Sequence, residues 1–228
     1  MELKSQILAS NPRVSVHCIE LDVRNRSKVF EAVDNLPQEF KSIDILVNNA
    51  GLVIGLEPLV QVGEHEINTM LDTNVKGLMF CTQAIVPGMK ERNKTAYVVN
   101  INSIAGTEAY ANGSVYCATK HAVTALTKSL RHELVSTPIN VISIEPGLVE
   151  TEFSVVRFRG DKEKADSVYK GTSLGKCIFM MDVGIDPLTG EDIAETVLFA
   201  TSRAPHVQIA SMIVFPTSQS ASTTVYRK

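Results

Sequence analysis

At 228 residues the chain can bury a sizeable core as one domain, and its 44% hydrophobic and 21% charged residues are those of an ordinary globular protein. A net charge of −3 argues against a nucleic-acid surface, and no apolar run is long enough to span a membrane. The opening Met-Glu-Leu-Lys-Ser is not a signal peptide, and Cys18, Cys81, Cys117 and Cys177 lack metal-ligand spacing. The expectation is therefore a cytoplasmic protein with reduced thiols, no metal, no membrane and no nucleic-acid partner.

In chain order, residues 1–10 read as the end of a helix and 13–21 alternate like a strand. A helix is predicted over 27–36, starting at a serine able to cap it. A short apolar run at 43–47 predicts a buried strand, followed by a long helix over 65–91 with Pro87 near its end. Residues 97–101 read as a strand, 114–135 as a strongly amphipathic helix, and 139–144 as a strand closed by Pro146-Gly147. Thr189 and Asp192 have the spacing of a capping box for a helix over 189–200, and 207–215 forms the last strand. Strands alternating with helices predict a parallel sheet covered on both faces. Ligands in such sheets bind beyond the carboxyl ends of the strands, where Asn48, Ser103 and Pro146-Gly147 fall.

Tyr116 and Lys120 are four residues apart in a predicted helix and share one face. An ammonium beside a phenol favours the phenolate, which lowers a pKa ordinarily near ~10. The result is a proton donor and acceptor suited to reducing a carbonyl or oxidising an alcohol. Ser103, thirteen residues before the tyrosine, ends a strand and can donate to a developing oxyanion. Asn74 interrupts a helix interior, where asparagine is a poor helix former. Each has a blander reading: a packing tyrosine, a solvated lysine, a turn serine, a surface asparagine.

Together these residues resemble the short-chain dehydrogenase/reductase family. The matching segments are Leu21-Asp22-Val23, Asn48-Asn49-Ala50-Gly51, Asn74, Ser103, Tyr116-x-x-x-Lys120 and Pro146 through Thr151, in order and at fitting spacing over 1–172 and again from 187 to the end. Residues 147–160 and the ending Phe215-Pro216-Thr217-Ser218-Gln219 look like the 3-hydroxy acid and serine dehydrogenase branch. The resemblance implies a doubly wound Rossmann-type α/β fold and NADP as cofactor, with NAD possible. It also implies a small hydroxy acid of the serine or 3-hydroxypropionate type as substrate, and a homo-tetramer or dimer. By the same resemblance Tyr116 is the acid/base, and Lys120 lowers its pKa and binds the nicotinamide ribose. Ser103 binds the substrate oxygen, and Asn74 bends its helix and holds a water that links the lysine to solvent. Asp22 and Val23 would meet the adenine, and Asn48 the adenosine ribose, while Asn49 ties strands together. Ala50 and Gly51 follow beside the cofactor, and Pro146, Gly147, Val149 and Thr151 flank the nicotinamide amide. Arg157 and Arg159 lie in the stretch that covers the substrate, and a guanidinium fork matches a carboxylate.

Two departures from the family pattern stand out. No glycine-rich turn precedes residue 13, and the family's first two strands are missing, so the chain reads as N-terminally incomplete. The missing strands would lie between 13–21 and 43–47, leaving a gap of roughly three strand spacings, about 14 Å. Residues 173–186 do not fit the branch and read as an insertion or an unspliced segment. Two other readings remain open: a catalytically silent chain that only joins sister subunits, and a reductase for a sugar, steroid or polyketide carbonyl.

Overall fold

A computed structural model describes residues 2–170 and 185–226. The expected insertion at 173–186 lies outside these residues except for its last two positions. The described chain forms a parallel sheet with strands β1 (Ile45–Asn48), β2 (Ala96–Ile101), β3 (Ile139–Pro146) and β4 (Ser211–Val214), in spatial order β1-β2-β3-β4. The eight α-helices of the described residues are α1 (Glu2–Ser10), α2 (Arg26–Asp34), α3 (Glu64–Leu71), α4 (Leu78–Arg92), α5 (Ser114–Glu133), α6 (Phe153–Arg157), α7 (Lys162–Lys170) and α8 (Gly190–Thr201).

Alternate residues of the central strands feed two cores. Ala96, Val98, Ile139 and Val141 pack with Val86 and Met89 of α4 and with Leu130 and Leu134 around the end of α5. Tyr97, Val99, Ile142 and Ile144 face the other way, against Ile193, Val197 and Ala200 of α8. Both sheet faces are thus covered, and β3 is buried along its whole length even though Asn140, Ser143 and Glu145 interrupt its apolar residues. The chain steps across the sheet in one direction throughout, yet α8 lies on the face opposite α4 and α5. The β3–α8–β4 crossover therefore has the opposite hand to the two before it. Parallel crossovers are right-handed in nearly all cases, so this is a packing outcome that strand order alone would not suggest.

Most element boundaries move by a few residues from the sequence reading. The capping box at α8 is present: Thr189 Oγ1 accepts from the Asp192 amide, and the Thr189 amide donates to Asp192 Oδ2 at 2.7 Å. The cap of α2 is Asn25 rather than the serine two residues on, with Oδ1 accepting from the Lys28 amide. The predicted helix over 65–91 is present but interrupted: Asp72–Gly77 widens into a π-type turn between α3 and α4. Such turns re-aim side chains and recur at functional sites.

One predicted element is absent. Residues 13–21 run as irregular, largely exposed chain with no ladder hydrogen bonds. Their alternating pattern has no neighbour to pair with, and a strand alone gains nothing from its pleat. Among the described residues the outer edge of β1 is likewise unpaired, with Ile45 and Val47 exposed. Two further helices, α6 and α7, were not foreseen. Residues 162–170 are rich in charge, but Ala165, Val168 and Tyr169 recur on one face and are buried.

A buried polar network locks the sheet to its helices on the α4/α5 side. Asn48 and Asn100 are register partners across β1 and β2, and Asn48 Nδ2 donates to Asn100 Oδ1 at 2.9 Å. Asn48 also donates to Thr82 on α4, and Asn100 Nδ2 donates to Thr127 on α5 at 2.8 Å. The threonine hydroxyls pass their own hydrogens to Leu78 and Val123 carbonyls. A fully satisfied buried network of this kind rigidifies and orients the elements it joins. Asn100→Ala, which strands the partners of a side chain with no solvent exposure, is expected to lower stability in urea denaturation by about 1–3 kcal/mol.

Candidate active site

At the carboxyl ends of β2 and β3, a cavity of about 240 Å³ opens between the sheet, α5 and the α6–α7 segment. The helix α5 starts beside it, and its first turns carry Tyr116 and Lys120 into the cavity wall. Lys120 Nζ donates to the carbonyl of Ile101, the last residue of β2, at 2.9 Å. That bond fixes α5 against the strand end, next to Ser103. The Ser103 hydroxyl accepts from the Ala105 amide at 3.1 Å and lines the same cavity as the Tyr116 phenol. Ser103, Tyr116 and Lys120 are thus brought together, as their order in the sequence predicts.

The electrostatics differ from that reading in one respect. Both Tyr116 and Lys120 are buried, and burial disfavours charge on either. Burial pushes the Tyr116 phenol up, against the opposing pull of the Arg157 guanidinium and the Ser103 hydrogen bond. Burial pulls Lys120 down to about 8. The ammonium lies 5.8 Å from the Tyr116 ring centroid, so a cation stands close to the phenol.

Arg157, at the end of α6, is buried and lines the cavity. Its guanidinium carbon lies 5.4 Å from the Phe153 ring centroid, one turn back. Phe153 in turn meets Tyr116 edge-on at 5.8 Å. The Arg157 carbonyl accepts from the Gly55 amide at 2.9 Å, with Gly55 at φ +74°, a conformation that favours glycine. Arg159 goes elsewhere. It is half-exposed, pairs with Glu57 at 2.6 Å and Glu66 at 3.7 Å, and does not line the cavity. Two residues past a helix end and at φ +53°, its side chain turns away from the one that Arg157 sends inward.

Asn74 sits in the π-type turn and is almost fully buried. Its Oδ1 accepts from the Leu52 amide, and its Nδ2 donates to the Leu52 carbonyl and to Thr119 Oγ1 on α5. It therefore clamps the loop after β1 to the helix of Tyr116. A Cβ built on Gly51 would lie 3.5 Å from Asn74 Oδ1 and 3.7 Å from Lys120 Nζ, so all three meet at one corner.

The two asparagines after β1 take different places. Asn48 is committed to the network between strands, whereas Asn49 lines the cavity. Gly51, Pro146, Gly147, Val149 and Thr151 line it as well; Ala50 is exposed outside it. Gly147 has no room for a side chain, since a Cβ would fall 2.2 Å from Gln219 Oε1 and 2.6 Å from Phe215. Asp22 and Val23 stand apart from the cavity. The Asp22 carboxylate is held by the Arg24 guanidinium at 2.7 Å, which keeps it below the usual carboxylate range, and Val23 packs on Gly77.

Other cavity residues escaped the sequence reading. Tyr110, Phe153, Ser154, Tyr169, Gln219 and Ser222 all contribute. Tyr169 OH donates to the Val149 carbonyl at 2.8 Å, so Ser154 Oγ, 2.7 Å away, donates to Tyr169. This chain ties α7 to α6 and to the loop after β3. Gln219 Oε1 accepts from the Leu148 amide at 2.8 Å and closes the floor from the C-terminal side. The apolar spacing of α7 was the available signal for Tyr169, and Ser154 lies in the branch-like stretch 147–160; for Tyr110 the sequence carries none.

With the geometry established, comparison with known proteins is informative. The family model described as short chain dehydrogenase matches residues 2–162. The chain belongs to the short-chain dehydrogenase family. It is 45% identical over 221 residues to the NADP-dependent 3-hydroxy acid dehydrogenase of Schizosaccharomyces pombe, covering 97% of this chain and 80% of the relative. The enzyme of that name from Escherichia coli K12 is 43% identical over 207 residues, covering 90% and 78% respectively. A solved serine dehydrogenase, in its closed form with NADP+, superposes with a TM-score of 0.84 at 41% identity, covering 100% of this chain and 87% of that one. The chain is thus an oxidoreductase of this family with a Rossmann-like α/β fold.

Burial of Lys120 has a measurable consequence. The unfolded lysine keeps its proton up to about 10.5, the folded one only to about 8. Below pH 8 both states are charged and the folded state bears the full desolvation cost; between these values unfolding takes up a proton, so wild-type stability rises with pH. Lys120→Met is therefore expected to melt higher than wild type below about pH 8, offset in part by loss of the bond to Ile101. Its advantage should shrink as pH rises toward 10.5, as thermal melts across that range will show.

Proposed function

We propose that the chain transfers hydride between NADP(H) and a small 3-hydroxy acid, of the serine or 3-hydroxypropionate type, or its oxo form. The observation that carries this reading is the placement of Ser103, Tyr116, Lys120 and a buried Arg157 around one small cavity. Three of these serve a carbinol or carbonyl; the fourth suits an anion at its far end. Relatives named for NADP and 3-hydroxy acids support both the cofactor and the substrate class.

The chain's own residues fit the nicotinamide end of such a cofactor. Lys120 has donors beyond the one given to Ile101, and Asn49, Gly51 and the loop Pro146–Gly147–Leu148–Val149 with Thr151 line the same wall. Residues 1–50 contain no glycine and so no glycine-rich turn for a pyrophosphate. When bound, the cofactor supplies or accepts the hydride. In reduction Tyr116 gives its proton to the carbonyl oxygen as hydride reaches the carbonyl carbon, and in oxidation the phenolate takes the hydroxyl proton back. Ser103 donates to the oxygen as negative charge develops on it. Lys120 supports the phenolate and holds the cofactor ribose. Asn74 keeps the Gly51 loop and α5 in register. Arg157 holds the substrate carboxylate through its planar fork. Arg159, spent on Glu57 and Glu66, is not assigned to substrate.

The working form is read as a dimer or tetramer, supported by exposed Leu198, Phe199 and Ile213 on α8 and β4. A cytoplasmic site of action suits the free thiols of Cys18, Cys81 and Cys117. No helix among the described residues is long and apolar enough to cross a membrane. The unpaired edge of β1 favours a second reading, in which the chain joins sister subunits without turnover. Co-expression with a full-length relative, giving mixed oligomers that contribute no activity, would select it.

Tyr116→Phe is expected to cut kcat by at least about 100-fold while NADPH still binds with wild-type affinity by fluorescence titration; retention of most of kcat would remove the acid/base assignment. Arg157→Ala should raise KM for 3-hydroxypropionate by roughly tenfold or more and leave a neutral substrate almost unaffected. Equal loss on both substrates would place Arg157 in the framework rather than on the carboxylate.

A further inference from the structure

Two walls of the cavity meet at a turn. The loop 146–151 forms one, and α6, with Phe153, Ser154 and Arg157, forms the other. On its far side the loop is fastened firmly. The Leu148 amide donates to Gln219 Oε1 at 2.8 Å, the Leu188 amide to the Leu148 carbonyl at 3.0 Å, and the Glu150 amide to the Leu188 carbonyl at 2.8 Å. Neither Gln219 nor Leu188 belongs to α6 or α7. The turn into α6 is held less well. Glu150, Thr151 and Glu152 are exposed. The Phe153 amide reaches Thr151 Oγ1 at 3.3 Å and the Ser154 amide reaches the Thr151 carbonyl at 3.4 Å, lengths at the weak end for such bonds.

A short buried chain spans this turn. Tyr169 OH donates to the Val149 carbonyl at 2.8 Å, and Ser154 Oγ donates to Tyr169 OH at 2.7 Å. Ser154 is 3% exposed and Tyr169 8%. Tyr169 is itself anchored, because α7 also buries Ala165 and Val168. Burial pushes the Tyr169 phenol up, so it stays a neutral donor through the working range. It staples the two ends of the turn and carries no proton for the reaction.

We propose that Tyr169 is a positioning residue: through Ser154 and the Val149 carbonyl it fixes the spacing between the nicotinamide wall and the substrate wall, and so sets the alignment in which hydride passes. It rests on the reading of the loop 146–151 as the nicotinamide wall and of α6 as the substrate wall. Hydride transfer is sensitive to such spacing, since a misplacement of ~1 Å can cost roughly 100-fold in rate. Binding is less so. Each ligand is held by its own wall, and a small change between the walls leaves both sets of contacts in place.

In Tyr169→Phe the ring still fills its place, but the Val149 carbonyl and the Ser154 hydroxyl lose their common partner. Single-turnover oxidation of 3-hydroxypropionate by NADP+, followed by NADPH absorbance, should slow by about tenfold or more. The Kd for NADPH, from fluorescence titration without turnover, should stay within about threefold of wild type. Ser154→Ala keeps the bond to Val149 and removes the one to α6, so it should slow the same step. Because the chain acts as a unit, the double variant should be no more than about twofold slower than Tyr169→Phe alone. A hydride-transfer rate within about twofold of wild type in Tyr169→Phe overturns the proposal. Equal losses of rate and of NADPH affinity make Tyr169 a framework residue and also overturn it, and fully additive losses in the double variant overturn the chain through Ser154. A wild type that binds no NADPH, or transfers no hydride from 3-hydroxypropionate, overturns the hydride-transfer reading itself, and the proposal falls with it; that failure shows in the wild type, the others in the variants alone.

Discussion

The hydrogen bond from Lys120 to the Ile101 carbonyl is the contact on which the site depends. It joins the first turns of α5 to the carboxyl end of β2, where backbone groups would otherwise lose their partners. Once that junction is made, Tyr116 one turn earlier must face the cavity, and Ser103, two residues past the strand, must meet it. The cost is the burial of an ammonium, and it shows in the proton affinity of the lysine itself. A site that keeps a cation in a dry wall for its chemistry gives up stability there.

Around this junction the remaining architecture acts to hold angles. The network from Asn48 through Asn100 to Thr127 binds β1 and β2 to α4 and α5 beneath the cavity. Asn74 does the same from the side, using the wider turn between α3 and α4 to reach the Leu52 backbone and Thr119 together. Gln219 and the close approach at Gly147 secure the opposite wall. Each clamp is made of polar groups whose hydrogen bonds are satisfied within the protein. The walls are therefore held without leaving those donors and acceptors stranded.

The α6–α7 segment supplies what distinguishes this site from a bare proton carrier. Phe153 and Arg157 are four residues apart on one short helix, so both turn toward the cavity together. Tyr169 fixes that helix through Ser154 and the Val149 carbonyl.

Local chemistry was enough to read Tyr116, Lys120 and Ser103 from the sequence, because a one-turn spacing and a strand-end loop dictate where such side chains go. The capping box at Thr189 and a parallel sheet covered on both faces were legible from local patterns too. Other features depend on neighbours distant in the chain. Residues 13–21 carry a strand's alternation but find no partner, since pairing is a property of two segments. Arg157 and Arg159 look equivalent in the sequence; a helix end and a positive φ send one inward and the other to Glu57. Asn48 and Asn49 are identical in type, and only the pleat of β1 decides which enters the network and which the cavity. The hand of the last crossover and the place of Tyr110 belong to packing alone. The sequence by itself determined which groups could do the chemistry; the tertiary structure decided which of them share a low-dielectric space, and charge acts strongly only there.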